Sequence, residues 1–141
     1  MKALFLDIDG VLLPFGEGSE DVLLQDHSSS DVRFSLDALD ALSSILEADP
    51  EIEIVLSSTW RCAGGDQAAF AAFDAYVQSH NPSSPLAAFA ARGTFAHTTC
   101  PLNHSHRQWE IAEWLLTSPA AASITSWFTY YFNYPFHYCP S

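Results

Sequence analysis

The chain opens on a short apolar run, Lys2 to Ile8, that stops at acidic residues and Gly10. A short run of this kind predicts a fully buried strand, delivering its last side chains to a ligand at the carboxyl end of a sheet. From Ser35, whose hydroxyl suits a helix N-cap, Leu36, Leu39, Leu42, Ile45 and Leu46 recur at helical spacing until Asp49-Pro50. Glu51 to Ser57 then reads as a second strand, with Ile52, Ile54, Val55 and Leu56 leading into Ser57-Ser58-Thr59. Strand, helix and strand in that order predict a right-handed parallel crossover.

Asp66 to Ser79 predicts a second helix with Phe70, Phe73 and Val77 on one stripe, followed by the breaker-rich stretch His80 to Pro85. Phe89 to Thr98 is expected to hold a further short strand. A third helix is signalled by Ser105 with Gln108 three residues on, a capping box, and by Trp109, Ile111, Trp114 and Leu115 before Pro119. Leu13 to Arg33 carries Pro14, Gly16, Gly18 and three consecutive serines without periodicity, as a loop or small hairpin able to cover a site would. Ala120 to Ser141 has no charged residue and concentrates aromatics from Trp127 to Tyr138. The expected fold class is α/β: a parallel central sheet with helices on both faces.

Composition narrows the function. A chain of 141 residues, 48% hydrophobic and 16% charged, has the make-up of one globular domain, and no apolar stretch reaches bilayer length. Five Lys and Arg against seventeen Asp and Glu give a net charge of -12, which leaves no basic surface for extended nucleic-acid binding. A small phosphorylated molecule, or one nucleic-acid end held by a few cations, remains compatible as partner. The first apolar run is cut by Asp7, too early for a signal-peptide core, so a cytoplasmic location is expected. Cys62, Cys100 and Cys139 are odd in number and unpatterned, and read as free thiols. Nothing in the pattern fixes the oligomeric state.

The chemistry gathers at Asp7-Ile8-Asp9-Gly10. Side-chain alternation points Asp7 and Asp9 to one side, and Gly10 permits a close backbone approach to a ligand. One carboxylate can attack phosphorus, while the second protonates the leaving oxygen and then activates water. Asp7 suits the nucleophile and Asp9 the acid/base, both as ligands of Mg²⁺, a hard cation that favours carboxylate oxygens. The plain alternative is a solvated acidic turn.

Leu4-Phe5-Leu6-Asp7-Ile8-Asp9-Gly10-Val11-Leu12 resembles the first motif of the haloacid dehalogenase (HAD) superfamily. Ile54 to Arg61 resembles its second motif, which makes Ser57, with Ser58 close behind, the phosphate-binding hydroxyl. A capping serine is the plain alternative. His97-Thr98-Thr99 and Arg107 through Glu110-Ile111 to Trp114-Leu115 resemble a subgroup of small HAD domains found alone or in RNA-repair proteins. In that comparison Arg107 is the third motif, a cation near a helix N-terminus that stabilises the nucleophile and the phosphoryl charge. Arg61 is a further candidate for phosphate contact, with an ordinary exposed arginine as the plain alternative, and Trp60 reads as core or site wall. Implied are a Rossmannoid three-layer sandwich, C-terminally truncated or divergent, and a Mg²⁺-dependent phosphomonoesterase working through an aspartyl-phosphate.

The superfamily's fourth motif, acidic residues after the next strand that complete the metal shell, has no counterpart: after Glu113 there is no Asp or Glu. The resemblance therefore divides the chain into a core, 1–117, and an uncharged aromatic tail, 118–141, that reads like an altered reading frame. Asp66 is the candidate replacement ligand. An inactive remnant that binds a phosphorylated ligand or a protein is the alternative function. His97, Cys100, His104 and His106 are of zinc-ligating type, but their spacing matches no known zinc pattern.

Overall fold

The structure is a computed structural model that describes residues 1–13, 34–61, 65–99 and 106–130. Of the segment read as a flap, Leu13 to Arg33, all but Leu13 lies outside the described residues, as do all three cysteines, His104 and Ser105.

Four parallel strands form one sheet in the order β3-β2-β1-β4. β1 is Lys2–Leu6 and β2 is Ile52–Leu56, paired in register from Lys2 with Ile52 to Leu6 with Leu56. β3 is the two-residue strand His97–Thr98 beside Val55 and Leu56. β4, Ser126–Tyr130, flanks β1 on its other side along its whole length. The stretch set apart in the sequence as a tail thus supplies a sheet strand.

Both faces of the sheet are covered, because every second residue of a buried strand points to the opposite side. Leu4, Leu6 and Ile8 join Ile54 and Leu56 under three helices: α1 (Leu36–Ala48), α2 (Gly65–Ser79) and α3 (Leu86–Arg92). Ala3, Phe5 and Val55 face the other way, against Ile111 and Trp114 of α4 (Arg107–Thr117). Phe5 meets Trp114 edge-on at 5.4 Å between ring centroids. The three layers expected of a HAD-like α/β domain are therefore present.

Local signals account for most element boundaries. The Ser35 side chain accepts from the Ala38 amide and caps α1, which stops at Asp49 before Pro50. α3 was not expected, and it occupies part of the stretch assigned to a strand. Its Leu86 and Phe89 are buried, and Gly93, at φ 65°, turns the chain out of the helix with its amide shared between the Phe89 and Ala90 carbonyls. The expected strand shrinks to His97–Thr98. The N-cap of α4 is His106, one residue later than the capping box implied, and its side chain makes no cap bond.

Candidate functional site

β1 and β2 end side by side, and the chain's order places the reversal of connectivity between β1 and β4. β2 and β3 build outward on one side of β1, and the chain then crosses through α4 to β4 on the other. Ligands of open parallel sheets bind in the crevice at that reversal, beyond the carboxyl ends. Asp7 is the first residue past β1, at its mouth.

The turn after β1 is tightly closed. The Ile8 carbonyl accepts from the amides of Val11, Leu12 and Leu13, the Gly10 amide donates to the Leu13 carbonyl, and Gly10 takes φ 74°. A positive φ here is why glycine occupies the position after Asp9. Ile8 is fully buried while Asp7 and Asp9 are half-buried, so alternation keeps both carboxylates off the core side.

Burial pushes the Asp7 carboxyl above its ordinary value of 3.8. The Arg107 guanidinium, the Ile8 amide and the Ser58 hydroxyl pull it back, and the neighbouring charge of Asp9 adds to the rise. The Ile8 amide sits 2.9 Å from Asp7 Oδ1. Asp9 is held from a different direction: Trp60 Nε1 donates to its Oδ1 at 3.0 Å, and Thr59 Oγ1 lies 3.5 Å from its Oδ2. Both partners come from the single 3₁₀ turn Thr59–Arg61 after β2.

The two serines at the end of β2 take different roles. Ser57 continues the strand pairing, its amide donating to the Leu6 carbonyl at 2.8 Å, and its hydroxyl faces the buried Thr99 at 3.5 Å. The Ser58 hydroxyl pulls the Asp7 carboxyl down and accepts from the Trp60 amide, and the Ser58 carbonyl accepts from the Arg61 amide and from Arg61 Nη1. Of the pair, Ser58 is the one that favours the ionised Asp7 carboxylate.

Arg107, the first residue of α4, has a quarter of its side chain exposed and acts on Asp7 through its charge. Its guanidinium also pairs with Glu110 one turn on. Glu110 in turn binds Arg61 at 2.9 Å, so one carboxylate bridges two guanidiniums. Arg61 is 5% exposed, with Nη1 on Ser58 and Nη2 on Glu110; it is an internal tie rather than an open surface cation. Sequence reading did not single out Glu110. Its signal was its place one helical turn after Arg107, the spacing at which opposite charges meet on a helix.

Hard oxygen donors of Asp7 and Asp9 are of the right chemistry for Mg²⁺, which commonly uses one or two carboxylates and takes its remaining oxygens from water and phosphate. Three carboxylates against two guanidiniums also leave the site short of positive charge before a phosphate enters. Among the described residues no group of three or more Asp, Glu, His or Cys side chains gathers as a metal cluster. Asp66 accepts from the Gln67 amide in the first turn of α2. His97 packs edge-on against Trp114 at 5.8 Å.

Paired aspartates after a central parallel strand, hydroxyls at the end of its neighbour and an arginine opening the helix across the sheet define the HAD class of domain. The family described as the HAD domain in Swiss Army Knife RNA repair proteins matches residues 3–129, and the chain belongs to it. The match runs into β4. No curated protein and no solved structure matches the chain. Its ancestry is that of HAD-like hydrolases, and no described helix is long and apolar enough to cross a membrane.

Proposed function

We propose that the domain is a Mg²⁺-dependent phosphomonoesterase. The observation that carries this reading is the convergence on Asp7 of an arginine charge, a hydroxyl and a backbone amide. These groups favour the ionised carboxylate that a nucleophile requires, against the burial that opposes it.

In this reading Asp7 attacks phosphorus as the bond to the leaving oxygen breaks, and Asp9 gives that oxygen its proton. Asp9 then takes a proton from the water that releases phosphate from Asp7. Arg107 and the hydroxyls of Ser57 and Ser58 hold the phosphoryl oxygens, and the turn at Gly10 lets backbone approach them. Asp7 and Asp9 would hold Mg²⁺, which when bound would supply charge neutralisation for the phosphate. Arg61, tied internally, supports this set through Ser58 and Glu110. The substrate is a phosphorylated small molecule or a nucleic-acid end, the latter favoured by the family's description; the net charge of -12 limits any contact to that end.

Turnover of an aryl phosphate with Mg²⁺, compared between the native chain and Asp7→Asn, tests this. Activity indistinguishable between the two removes Asp7 from the mechanism. The lack of Asp or Glu after Glu113 favours a second reading, a domain that binds a phosphorylated ligand without turning it over. Mg²⁺-insensitive melting together with no turnover would select it.

A further inference from the structure

Arg107 meets Glu110 through one nitrogen, Nη1, which donates to Oε2. Among the described residues its Nε, which is buried, finds no acceptor, and its Nη2 makes no hydrogen bond. Nε and Nη2 form the side-on edge of a guanidinium, the fork that fits two oxygens of a phosphate. A buried donor without an acceptor is costly to keep. An unpartnered fork at the start of α4, on a side chain whose charge reaches Asp7, points to an anion as the missing partner.

Glu110 decides which edge of Arg107 is left over. Its other oxygen, Oε1, accepts from Arg61 Nη2 at 2.9 Å, and Arg61 Nη1 donates to the Ser58 carbonyl at 2.5 Å. The carboxylate is 7% exposed and tied in this way to the turn after β2, so it stays in place as a fixed grip on Nη1. We propose that Glu110 is a positioning residue: by taking Nη1 of Arg107 it leaves the Nε–Nη2 edge to receive two oxygens of the phosphoryl group. The inference rests on the phosphate-binding part of the phosphomonoesterase reading. Arg107 touches the substrate, and Glu110 acts through it. Without that grip the guanidinium is free to turn, and meets phosphate with one donor or none.

A carboxylate that only stood nearby would repel phosphate. Its shortening would then leave phosphate binding unchanged or tighter, whereas loss of a grip weakens it. The probe is inorganic phosphate with Mg²⁺, titrated calorimetrically into the full chain. Glu110→Asp keeps the charge that compensates Arg61 and shortens the reach to Arg107. It should weaken phosphate about tenfold, the worth of one charge-assisted hydrogen bond. Arg107→Lys keeps the charge but lacks the fork, and should lose at least as much. Because Glu110 acts through Arg107, the double variant should lose no more than Arg107→Lys alone. Losses that add overturn the proposal, as does a Glu110→Asp or Arg107→Lys chain that binds phosphate as tightly as the native one.

The edge is also read with Glu110 intact. The chain has four arginines, Arg33, Arg61, Arg92 and Arg107, so Arg107→Lys identifies one of four Nε–H resonances. Phosphate should move that resonance in the native chain, and one that stays in place while phosphate binds overturns the proposal. A native chain that binds phosphate and moves the resonance, yet turns over no aryl phosphate, sinks the phosphomonoesterase reading and leaves the role of Glu110 standing. A native chain that binds no phosphate sinks both.

Discussion

Glu110→Ala is the most exacting test of how the site is held together. The carboxylate is buried and bridges Arg61 and Arg107, one guanidinium 5% exposed and the other 25%. Its removal strands the Arg61 charge, and breaking a buried ion pair from one side costs about 3–5 kcal/mol. At about 3–4 °C per kcal/mol for a domain of this size, the melting temperature should fall by roughly 10–20 °C. The loss should persist in 1 M NaCl, because salt screens exposed pairs far more than buried ones. Arg61→Leu combined with Glu110→Leu should recover part of it, since no buried charge is then left alone and Arg107 can turn to solvent. Thermal melts followed by circular dichroism measure all three. A fall under about 3 °C for Glu110→Ala, or one that vanishes at high salt, would refute the view that this triad is a buried tie.

Asp7→Asn tests the burial of the nucleophile. Because the folded chain raises the Asp7 carboxyl above 3.8, it binds that proton more tightly than the unfolded chain does. Stability from this group is therefore highest below the ordinary value and declines as pH rises from there through the raised one. The variant should melt higher than the native chain near pH 7 without Mg²⁺ and lose that advantage below about pH 3.8; an advantage that grows in acid would contradict the assignment. Phe73→Ala removes a fully buried ring that meets Phe34, Phe70 and Phe95, and should cost about 3–5 kcal/mol in urea unfolding. Gly93→Ala meets no atom within 4 Å of its new Cβ, so its cost should be backbone strain alone, about 1 kcal/mol, and Gly93→Asn should cost less.

The acidic pair and the strand before it were legible because both are local: Leu4 to Gly10 states its strand, its exit and its chemistry within a few residues. α1 was legible for the same reason, from Ser35 to Pro50. α3 was not, because four of its seven residues are alanines that give a weak periodic signal. The bracket of Pro85 before it and Gly93 after it was the available clue. β4 was hidden differently: an uncharged aromatic stretch states neither a face nor a partner until β1 lies beside it. The grip of Trp60 on Asp9 and the double role of Glu110 join residues some fifty positions apart, and no spacing rule reaches that far.

Placing the first strand between the second and the last has a consequence for synthesis. β1 leaves the ribosome early and gains β2 once α1 has formed, but its other edge stays open until Ser126–Tyr130 emerges. The loop that must then close is more than a hundred residues long, yet chain entropy grows only logarithmically and adds less than about 1 kcal/mol over the β1–β2 closure. The penalty is one of time. Until α4 and β4 are made, Ala3 and Phe5 lack the Ile111 and Trp114 side chains that cover them, and an apolar strand with a bare edge stands next to the aspartates. A ribosome stalled before β4 would present a sticky, half-built site with the edge of β1 bare.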